Sequence, residues 1–270
     1  MNFQKIKNSI YGFIIGDALG VPFEFKAPAV SKIDMIGFGT HNQPLGTWSD
    51  DSSLMLATLD SISNNKDLRE CMVNWVKYGR YAIDNLVFDI GHSTKTGLIN
   101  NKINKDFYSN GNGSLMRMLP FVFELYGSNQ EKIKEVVIKS SSITHVHEIS
   151  INACMDYINY FHNIINGLNK EKSLPRHLIY ILSKENFNTK GFVIGTLEAA
   201  LHCFITTNNY TDSIKKAVSL GYDTDTIAAI TGSLSGYYYN NVNNSFKNKL
   251  RGKEIINPLI DKFVEYIEIK

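Results

Sequence analysis

The 270-residue sequence has few of the features that mark several classes of protein. Its three cysteines, Cys71, Cys154 and Cys203, are far apart and include no Cys-x-x-Cys pair, so we expect a reducing, cytoplasmic setting with neither a disulfide framework nor a zinc–thiolate site. The net charge of +2 provides no bulk attraction to nucleic acid or to an anionic membrane. Asp17 interrupts the only early apolar run, residues 10–21, which argues against a signal peptide and a membrane span.

What the sequence does contain is an acid-rich turn, Asp223-Thr224-Asp225-Thr226, directly before a stretch of small and apolar residues. Aspartate and threonine favour helix starts, where their oxygens accept hydrogen bonds from free N–H groups, so we predict a helix over about 226–239. Ala228, Gly232 and Gly236 would share one face and admit a second helix at close range. Because carboxylates rarely enter a core unpaired, the turn favours a site for a hard cation.

A second acid-rich turn, Trp48-Ser49-Asp50-Asp51-Ser52, precedes another segment with apolar residues at helical spacing. Adjacent acids at a helix start are ordinary when taken alone, since they complement the helix dipole. Two such turns in one chain are harder to explain by capping, because each offers the carboxylate and hydroxyl oxygens that hard cations prefer. We therefore predict that the two turns meet at a shared pair of cations.

The first helix carries a stripe of glycines, Gly12, Gly16 and Gly20, at fourfold spacing. Each glycine costs up to about 1 kcal/mol in a helix, so three in register indicate that another helix crosses closely. We expect that partner to be the helix that follows the turn at 223–226. Asp17 lies within the stripe, and we interpret it as a hydrogen-bonded structural carboxylate behind the metal site.

A long irregular segment, residues 21–47, joins the first helix to the second acid-rich turn and contains three prolines and three glycines. Loops of this length in compact proteins are usually functional or disordered, and its aromatic residues argue against disorder. Glu24 lies near its start. We therefore predict a lid that closes over a ligand and brings Glu24 towards the metals, with a rigid covering loop as the alternative.

Two further motifs could contact a ligand. Gly111-Asn112-Gly113-Ser114 is a glycine-rich turn that we expect to open a helix and to present backbone N–H groups to an anion, although plain turns share this composition. In Thr144-His145-Val146-His147, local polar contacts explain the two histidines better than a metal does, because hard cations prefer oxygen.

The rest of the chain alternates helical segments with short polar breaks. The predicted segments are 68–78, 131–141, 148–165, 174–183, 190–204, 212–220 and 258–267, and we expect the last to be peripheral. No internal repeat and no clean linker are visible. The sequence therefore predicts one all-α domain over residues 1–270.

Taken in order, five motifs resemble those of the ADP-ribosylglycohydrolase family. They are Gly16-Asp17-Ala18-Leu19-Gly20-Val21-Pro22-Phe23-Glu24, Trp48-Ser49-Asp50-Asp51-Ser52, Gly111-Asn112-Gly113-Ser114-Leu115-Met116-Arg117, Thr144-His145 and Asp223-Thr224-Asp225-Thr226. They span nearly the whole chain. The resemblance implies an all-α orthogonal helical bundle with a binuclear Mg²⁺ or Mn²⁺ centre at helix N-termini. It also implies a hydrolase that cleaves the glycosidic bond between ADP-ribose and an acceptor.

The resemblance implies roles for individual residues as well. The expected metal ligands are Ser49, Asp50, Asp51, Asp223, Asp225 and Thr226. The expected catalytic residues are Glu24, Asp50 and Asp51, and the sequence does not identify which of them transfers the proton. The expected substrate-binding residues are Gly111, Asn112, Gly113 and Ser114 at the pyrophosphate, His145 beside the distal ribose, and Tyr222 at the pocket mouth.

The chain departs from the family pattern in three places. Ser49 and Ser52 stand where threonines are frequent, and they keep the hydroxyls. Tyr222 stands where a small residue usually precedes the second acid cluster, and Tyr237 and Asn240 replace small residues near the helix end. We expect these last three to reshape the pocket mouth, and so to affect the choice of substrate more than the chemistry.

Cleavage of an ADP-ribosyl bond passes through an oxocarbenium-like state, and the resemblance implies that the metal pair orients the ribose and activates the attacking water. The expected partner is an ADP-ribosylated protein or another ADP-ribose conjugate, bound by a monomer, with the linkage left open. A two-metal phosphohydrolase is one alternative, although both acid clusters lack the usual histidine ligands. A non-catalytic ADP-ribose-binding protein is the other, although the four acids Asp50, Asp51, Asp223 and Asp225 are all present.

Overall fold

A computed structural model describes residues 1–28 and 32–270, and over these ranges the regular structure is helical. The α-helices are α1 (Phe3–Gly20), α2 (Asp50–Ser63), α3 (Leu68–Tyr78), α4 (His92–Ile99), α5 (Leu119–Glu124), α6 (Gln130–Ser141), α7 (Glu148–Ile165), α8 (Val193–Ile205), α9 (Tyr210–Ser219), α10 (Thr224–Tyr238), α11 (Asn244–Lys249) and α12 (Lys253–Ile269). Extended pairing in the same ranges is limited to two isolated bridges, Phe38 with Gln43 and Gly111 with Phe192. The predicted all-α class is confirmed. None of the helices described is long and apolar enough to cross a membrane.

Many helices begin where a polar side chain accepts a hydrogen bond from the first turn. The capping residues of this kind are Asn2, Ser49, Asp67, Asn129, His147, Asn209 and Asn243. Each satisfies one of the backbone N–H groups that a helix start leaves free. His147 is instructive, because its Nδ1 accepts from the N–H of Ile149 at 3.2 Å. The expected local polar contact is therefore confirmed for this histidine.

The fold is centred on the crossing of α1 and α10. A Cβ atom added to Gly12 would overlap the backbone of Gly232, and one added to Gly16 would overlap the backbone of Ala228. The two helices therefore touch backbone to backbone along the glycine stripe. The predicted close crossing is confirmed, and its partner helix is the expected one.

The remaining helices build the core around this pair. Helices α8 and α9 pack against α10, α3 and α12 pack against α2, and α6 and α8 pack against α7. The largest fully buried apolar and aromatic side chains come from many of these elements and include Phe13, Trp48, Trp75, Phe123, Tyr157, Tyr160, Phe161, Phe204 and Phe263. Burial of such side chains is the main favourable contribution to the stability of a fold of this kind.

Helix α12 differs from the expectation in extent and in place. It begins at Lys253, five residues before Pro258, and it packs against α1 and α2 with Ile256, Ile260 and Phe263 buried. The prediction of a peripheral helix over 258–267 is wrong. The reason is that an apolar face at helical spacing outweighs the single backbone hydrogen bond that a proline removes from a helix.

Two other helical segments and the glycine-rich turn also differ in detail. The segment 174–183 forms a 3₁₀ helix over Arg176–Leu182. Helix α8 begins at Val193 because Gly191, with φ of +82°, interrupts the helical backbone. The glycine-rich turn opens a helix, as expected, and that helix is a 3₁₀ helix, Asn112–Arg117.

Tyr237 and Asn240 lie at the end of α10 that is remote from the acid-rich turn. The Tyr237 ring packs against Phe123 and Phe161, with centroids 6.0 and 5.4 Å apart, and Asn240 accepts a hydrogen bond from Asn8. Both residues therefore stabilise helix packing. The expectation that they reshape the pocket mouth is wrong, because a helix separates its two ends along its whole length.

We expect Gly16→Ala to lower the free energy of unfolding by about 1–3 kcal/mol, because the added methyl group meets the backbone of Ala228 and overpacking costs about that much. The sign is diagnostic, since the same change in an open helix would be favourable by about 1 kcal/mol. Denaturant unfolding followed by circular dichroism measures the difference. Gly91→Ala is the control, because a Cβ there meets no atom of the described residues within 4 Å. Unchanged or greater stability of Gly16→Ala would contradict the close crossing.

Candidate metal centre

Asp17 on α1 positions the start of α2. Its carboxylate accepts hydrogen bonds from the backbone N–H groups of Ser49 and Ser52, each at 2.9 Å, and from the Ser52 hydroxyl at 2.6 Å. Burial raises the pKa of this carboxyl to about 6, and the hydrogen bonds oppose that rise. The interpretation of Asp17 as a hydrogen-bonded structural carboxylate is confirmed.

The same helix positions the start of α10. Gly20, the last residue of α1, lies so close to the backbone of Thr224 and Asp225 that no Cβ would fit. Its carbonyl accepts a hydrogen bond from the Thr224 hydroxyl at 2.8 Å, and Asp225 Oδ1 accepts one from the N–H of Thr226 at 2.9 Å. One turn of α1 therefore holds both acid-rich turns in place.

The two turns meet directly. The Thr226 hydroxyl donates to Asp51 Oδ2 at 3.2 Å, and the Ser49 hydroxyl lies 3.3 Å from the same oxygen. Asp50 lies next to them in the first turn of α2, buried and facing the cavity described below. The predicted convergence of the two acid clusters, which are far apart in the sequence, is confirmed.

Glu24 joins this acidic cluster from the loop after α1. Oxygens of Glu24, Asp223 and Asp225 lie within 4.8 Å of one another, a spacing at which three carboxylates can hold one metal ion. Glu24 therefore lies beside the acid-rich turn at the start of α10.

Backbone pairing ties the loop to the second acid-rich turn. The Phe25 N–H donates to the Tyr222 carbonyl, and the Tyr222 N–H donates to the Lys26 carbonyl, both at 2.7 Å. Tyr222 adopts a φ of +61°, in the region that favours glycine. The lid hypothesis for residues 21–47 stays a prediction, and residues 29–31 of that segment lie outside the described residues.

His41 and Asp89 belong to the cluster although neither was predicted from the sequence as a site residue. His41 Nε2 is hydrogen-bonded to the Glu24 carboxylate and lies 3.7 Å from Asp89 Oδ2. The three residues form a second potential ligand set, and the His41 ring lies near the rings of Phe25 and Phe88, at centroid distances of 5.7 and 5.2 Å. An acid close before a glycine was the available signal for Asp89. Nothing in the local sequence marks His41.

Burial and mutual repulsion make the cluster electrostatically unfavourable by itself. Burial is the main cause that raises the pKa of every carboxyl group in it, and the charges of neighbouring carboxylates are the next cause for most of them. The groups concerned are Glu24, Asp50, Asp51, Asp89, Asp223 and Asp225. At Asp223, hydrogen bonds from its neighbours oppose the rise. The cluster therefore favours either protons or a cation.

Two carboxylate oxygens indicate that a cation fits. Asp51 Oδ1 and Asp225 Oδ2 are buried and have no hydrogen-bond partner among the described residues. Buried polar atoms are rarely left unpaired, and a divalent cation would supply both the missing contact and the compensating charge. The donors around these atoms are mainly carboxylate and hydroxyl oxygens, the ligands that a hard cation prefers.

A cavity of about 700 Å³ opens from the cluster. Its acidic end is lined by Glu24, Asp50, Asp51, Asp89, Asp223 and Thr226. The rest of its wall includes Thr94, Tyr108, Gly111, Asn112, Gly113, His145, Lys190, Phe192 and Tyr222. This volume is within the range of pockets that bind small molecules and cofactors.

Most of the expected substrate-binding residues line this cavity, but their side chains have unequal access to it. Asn112 Nδ2 donates to Asp223 Oδ2 at 2.5 Å, so it connects the glycine-rich turn to the acidic end. The His145 ring lies against Gly113, where a Cβ would come within 2.9 Å of the imidazole Cε1. Ser114 is different, because its buried hydroxyl lies 3.5 Å from Cys154 Sγ and does not line the cavity.

Comparisons with known proteins found one matching family and several relatives. The sequence profile of the family described as ADP-ribosylglycohydrolase matches residues 2–269. The chain is 30% identical over 264 residues to the ADP-ribosylarginine hydrolase Tri1 of Pseudomonas putida (strain GB-1), covering 87% of this chain and 71% of that protein. It is 24% identical over 260 residues to the ADP-ribosyl-[dinitrogen reductase] glycohydrolase of Rhodospirillum rubrum, covering 87% and 86%.

A solved structure described as an ADP-ribosylglycohydrolase-related protein complex has the same fold. It matches with a TM-score of 0.81 at 22% sequence identity and covers 98% of this chain and 99% of that chain. At this identity the likeness concerns the fold alone.

We expect Mg²⁺ to raise the melting temperature relative to EDTA-treated protein, and to raise it more as the pH increases from about 5 to 8. The raised carboxyl pKa values mean that protonation stabilises the metal-free fold, fully so below the unfolded-state values near 4. This stabilisation of the metal-free fold is lost as the pH rises through the pKa values of the folded state. Bound cation requires the deprotonated form, so its stabilising effect runs in the opposite direction. Thermal unfolding at several pH values, with EDTA or MgCl₂, measures both trends. A melting temperature that Mg²⁺ does not change at any pH would contradict the conclusion that a cation fits the acidic cluster.

Proposed function

The chain belongs to the ADP-ribosylglycohydrolase family, whose members hydrolyse the glycosidic bond of ADP-ribose, and from this premise we propose that it releases ADP-ribose from arginine side chains of proteins. Two relatives, from Pseudomonas putida and Serratia proteamaculans, are named ADP-ribosylarginine hydrolase, at 30% and 28% identity. Both matches cover most of this chain. An arginine acceptor also suits the cavity, because a cationic guanidinium is attracted to the carboxylates at its acidic end.

The observation that carries the proposal is the acidic cluster at one end of a ligand-sized cavity. Cleavage of a glycoside passes through an oxocarbenium-like state, which carries positive charge on the sugar. Carboxylates placed around the anomeric carbon would stabilise that charge as it develops. The cluster is thus suited to the cleavage of a bond in which the sugar becomes positively charged as the bond breaks.

Glu24 is our candidate for proton transfer. It lines the cavity and, unlike Asp50 and Asp51, it is not among the residues that we assign as metal ligands. Burial, the main cause, raises the pKa of Glu24 well above its usual range, which suits a group that must carry a proton to the leaving nitrogen. The hydrogen bond between Glu24 and His41 would hold the carboxyl group in place.

Two divalent cations, Mg²⁺ or Mn²⁺, complete the proposal. We assign Ser49, Asp50, Asp51, Asp223, Asp225 and Thr226 as the residues that would hold them. Bound there, the cations would supply charge stabilisation and a template that orients the ribose. The unpaired oxygens of Asp51 and Asp225 support this assignment.

The wall of the cavity beside the acidic cluster is suited to the ADP part of the ligand. Gly111 has no side chain to hinder approach to the backbone, and the amino group of Lys190 supplies a positive charge that suits a diphosphate. We propose that the glycine-rich turn contacts the pyrophosphate, with Ser114 contributing through its backbone. His145 and Tyr222 would contact the ribose and the pocket mouth. We also propose that residues 1–270 act as one domain and as a monomer.

We expect Asp225→Asn to lower turnover by about 100-fold or more while leaving the fold intact. The amide keeps the size of the carboxyl group but loses the charge that holds a cation. Release of ADP-ribose from an ADP-ribosylated arginine protein in MgCl₂ or MnCl₂ measures turnover, and far-ultraviolet circular dichroism checks the fold.

Asp261→Asn is the matched control, because Asp261 is an exposed acid on α12 that pairs with Lys7 at 2.6 Å, and it should keep wild-type activity. Full activity of Asp225→Asn in saturating metal would refute the assignment. Wild-type protein that binds ADP-ribose but releases none from arginine-, serine- or nucleic-acid-linked substrates would point to the binding protein. Release of phosphate from simple phosphoesters would point to the phosphohydrolase.

A further inference from the structure

Arg117 is a fully buried cation behind the glycine-rich turn, and within the described ranges it forms no ion pair. Its guanidinium donates to the Gly113 carbonyl at 2.6 Å, to the Ser140 carbonyl at 3.1 Å and to Thr144 Oγ1 at 2.8 Å. All these acceptors are neutral. A buried charge without a counter-ion is costly in free energy, so we expect Arg117 to have a role that a neutral side chain would not fulfil.

The contact with Thr144 determines where the threonine hydrogen can point. Thr144 is buried, and its hydroxyl has two hydrogen-bond partners among the described residues: Arg117, which can only donate, and His145 Nδ1 at 2.7 Å. Because a buried hydroxyl hydrogen needs an acceptor, the Thr144 hydroxyl donates to His145 Nδ1. Nδ1 therefore carries no hydrogen.

The remaining hydrogen of the neutral imidazole is then on Nε2. That atom forms no hydrogen bond with the described residues and lies on the cavity side, where a Cβ on Gly111 would be 3.7 Å away. Burial, and next the charge of Arg117, lower the pKa of His145 to about 3, so the ring is neutral at physiological pH. The cavity thus contains a neutral N–H donor of fixed direction.

We infer that Arg117 and Thr144 are positioning residues, which hold His145 as the neutral Nε2–H tautomer so that it donates a hydrogen bond to an acceptor oxygen of the ligand in the cavity. This inference rests on the proposed function only for the identity of that ligand, ADP-ribose. Its hydroxyl, ring and phosphate oxygens are all acceptors. The tautomer is a property of the free protein.

The chain of contacts explains why a charged residue is used. Arginine cannot accept a hydrogen bond, so the imidazole is the only one of the two partners to which the Thr144 hydroxyl can donate. Its positive charge also opposes protonation of His145, which would place a second hydrogen on Nδ1 and leave the hydrogen of the Thr144 hydroxyl without its acceptor. A neutral glutamine at position 117 could accept as well as donate and would carry no charge, so it would impose neither restriction.

The test is the tautomer itself, read at pH 7 from ¹H–¹⁵N multiple-bond spectra of the whole protein labelled with ¹⁵N-histidine. His145→Gln assigns the signals of His145 among the seven histidines. We expect a bare Nδ1, shifted by an accepted hydrogen bond, and a protonated Nε2. Thr144→Ser keeps the hydroxyl and should keep this pattern, whereas in Thr144→Val the Nδ1 resonance should move to the position of a nitrogen that accepts no hydrogen bond. An Nδ1–H tautomer or an imidazolium in the wild-type protein overturns the inference.

Binding of ADP-ribose in MgCl₂, measured by calorimetry, gives the second readout. We expect Thr144→Val to weaken binding about tenfold, as loss of one well-oriented hydrogen bond does, and Thr144→Ser to restore it. Equal affinity of Thr144→Val and wild type overturns the positioning role. If wild-type protein shows the expected tautomer but does not bind ADP-ribose, the proposed function fails and the tautomer stands. If Thr144→Val does not fold, the wild-type spectrum still decides the question.

Discussion

The structure depends on burying a group of carboxylates where α1 passes close to α10 and α2. These carboxylates are chemically alike, and their hydrogen-bond partners determine whether each has a structural role or can bind a ligand. Asp17 accepts three hydrogen bonds from α2, which satisfies it and makes it part of the scaffold. Asp51 and Asp225 each keep an oxygen without a partner among the described residues, so they remain available to a ligand from outside the chain. Neighbouring carboxylates therefore have different roles, Asp17 in the scaffold and Asp51 and Asp225 at the ligand site.

The close approach of α1 to α10 makes this arrangement possible. Gly20 admits the backbone of α10 at its first turn, and Asp17, one turn earlier, holds the first turn of α2. Both helix starts therefore face the same point, and each helix dipole favours negative charge there. A side chain larger than hydrogen on the glycine stripe would separate the helices and with them the acid clusters. The close packing that stabilises the crossing of α1 and α10 therefore also sets the geometry of the site.

The wall of the cavity is not uniform in charge. Glu24 and Asp223 make part of it acidic, burial and next the charge of Arg117 lower the pKa of His145 and keep its ring neutral, and Lys190 adds an exposed positive charge. A ligand that carries both a sugar bond to be broken and phosphates would meet different groups of this wall with its two parts. The acidic cluster alone would hold a cation but would not orient a nucleotide.

The sequence by itself determined the all-α class, the limits of α3 and α7, the two acid-rich helix starts and the glycine stripe. These features are local, because capping and apolar spacing depend on residues within a turn or two of one another. Only the tertiary structure decided that His41 and Asp89 join the cluster, that the Ser114 hydroxyl turns away from the cavity, and that Tyr237 lies far from it. Those outcomes depend on how the helices pack, which brings together residues whose local sequences carry no sign of each other.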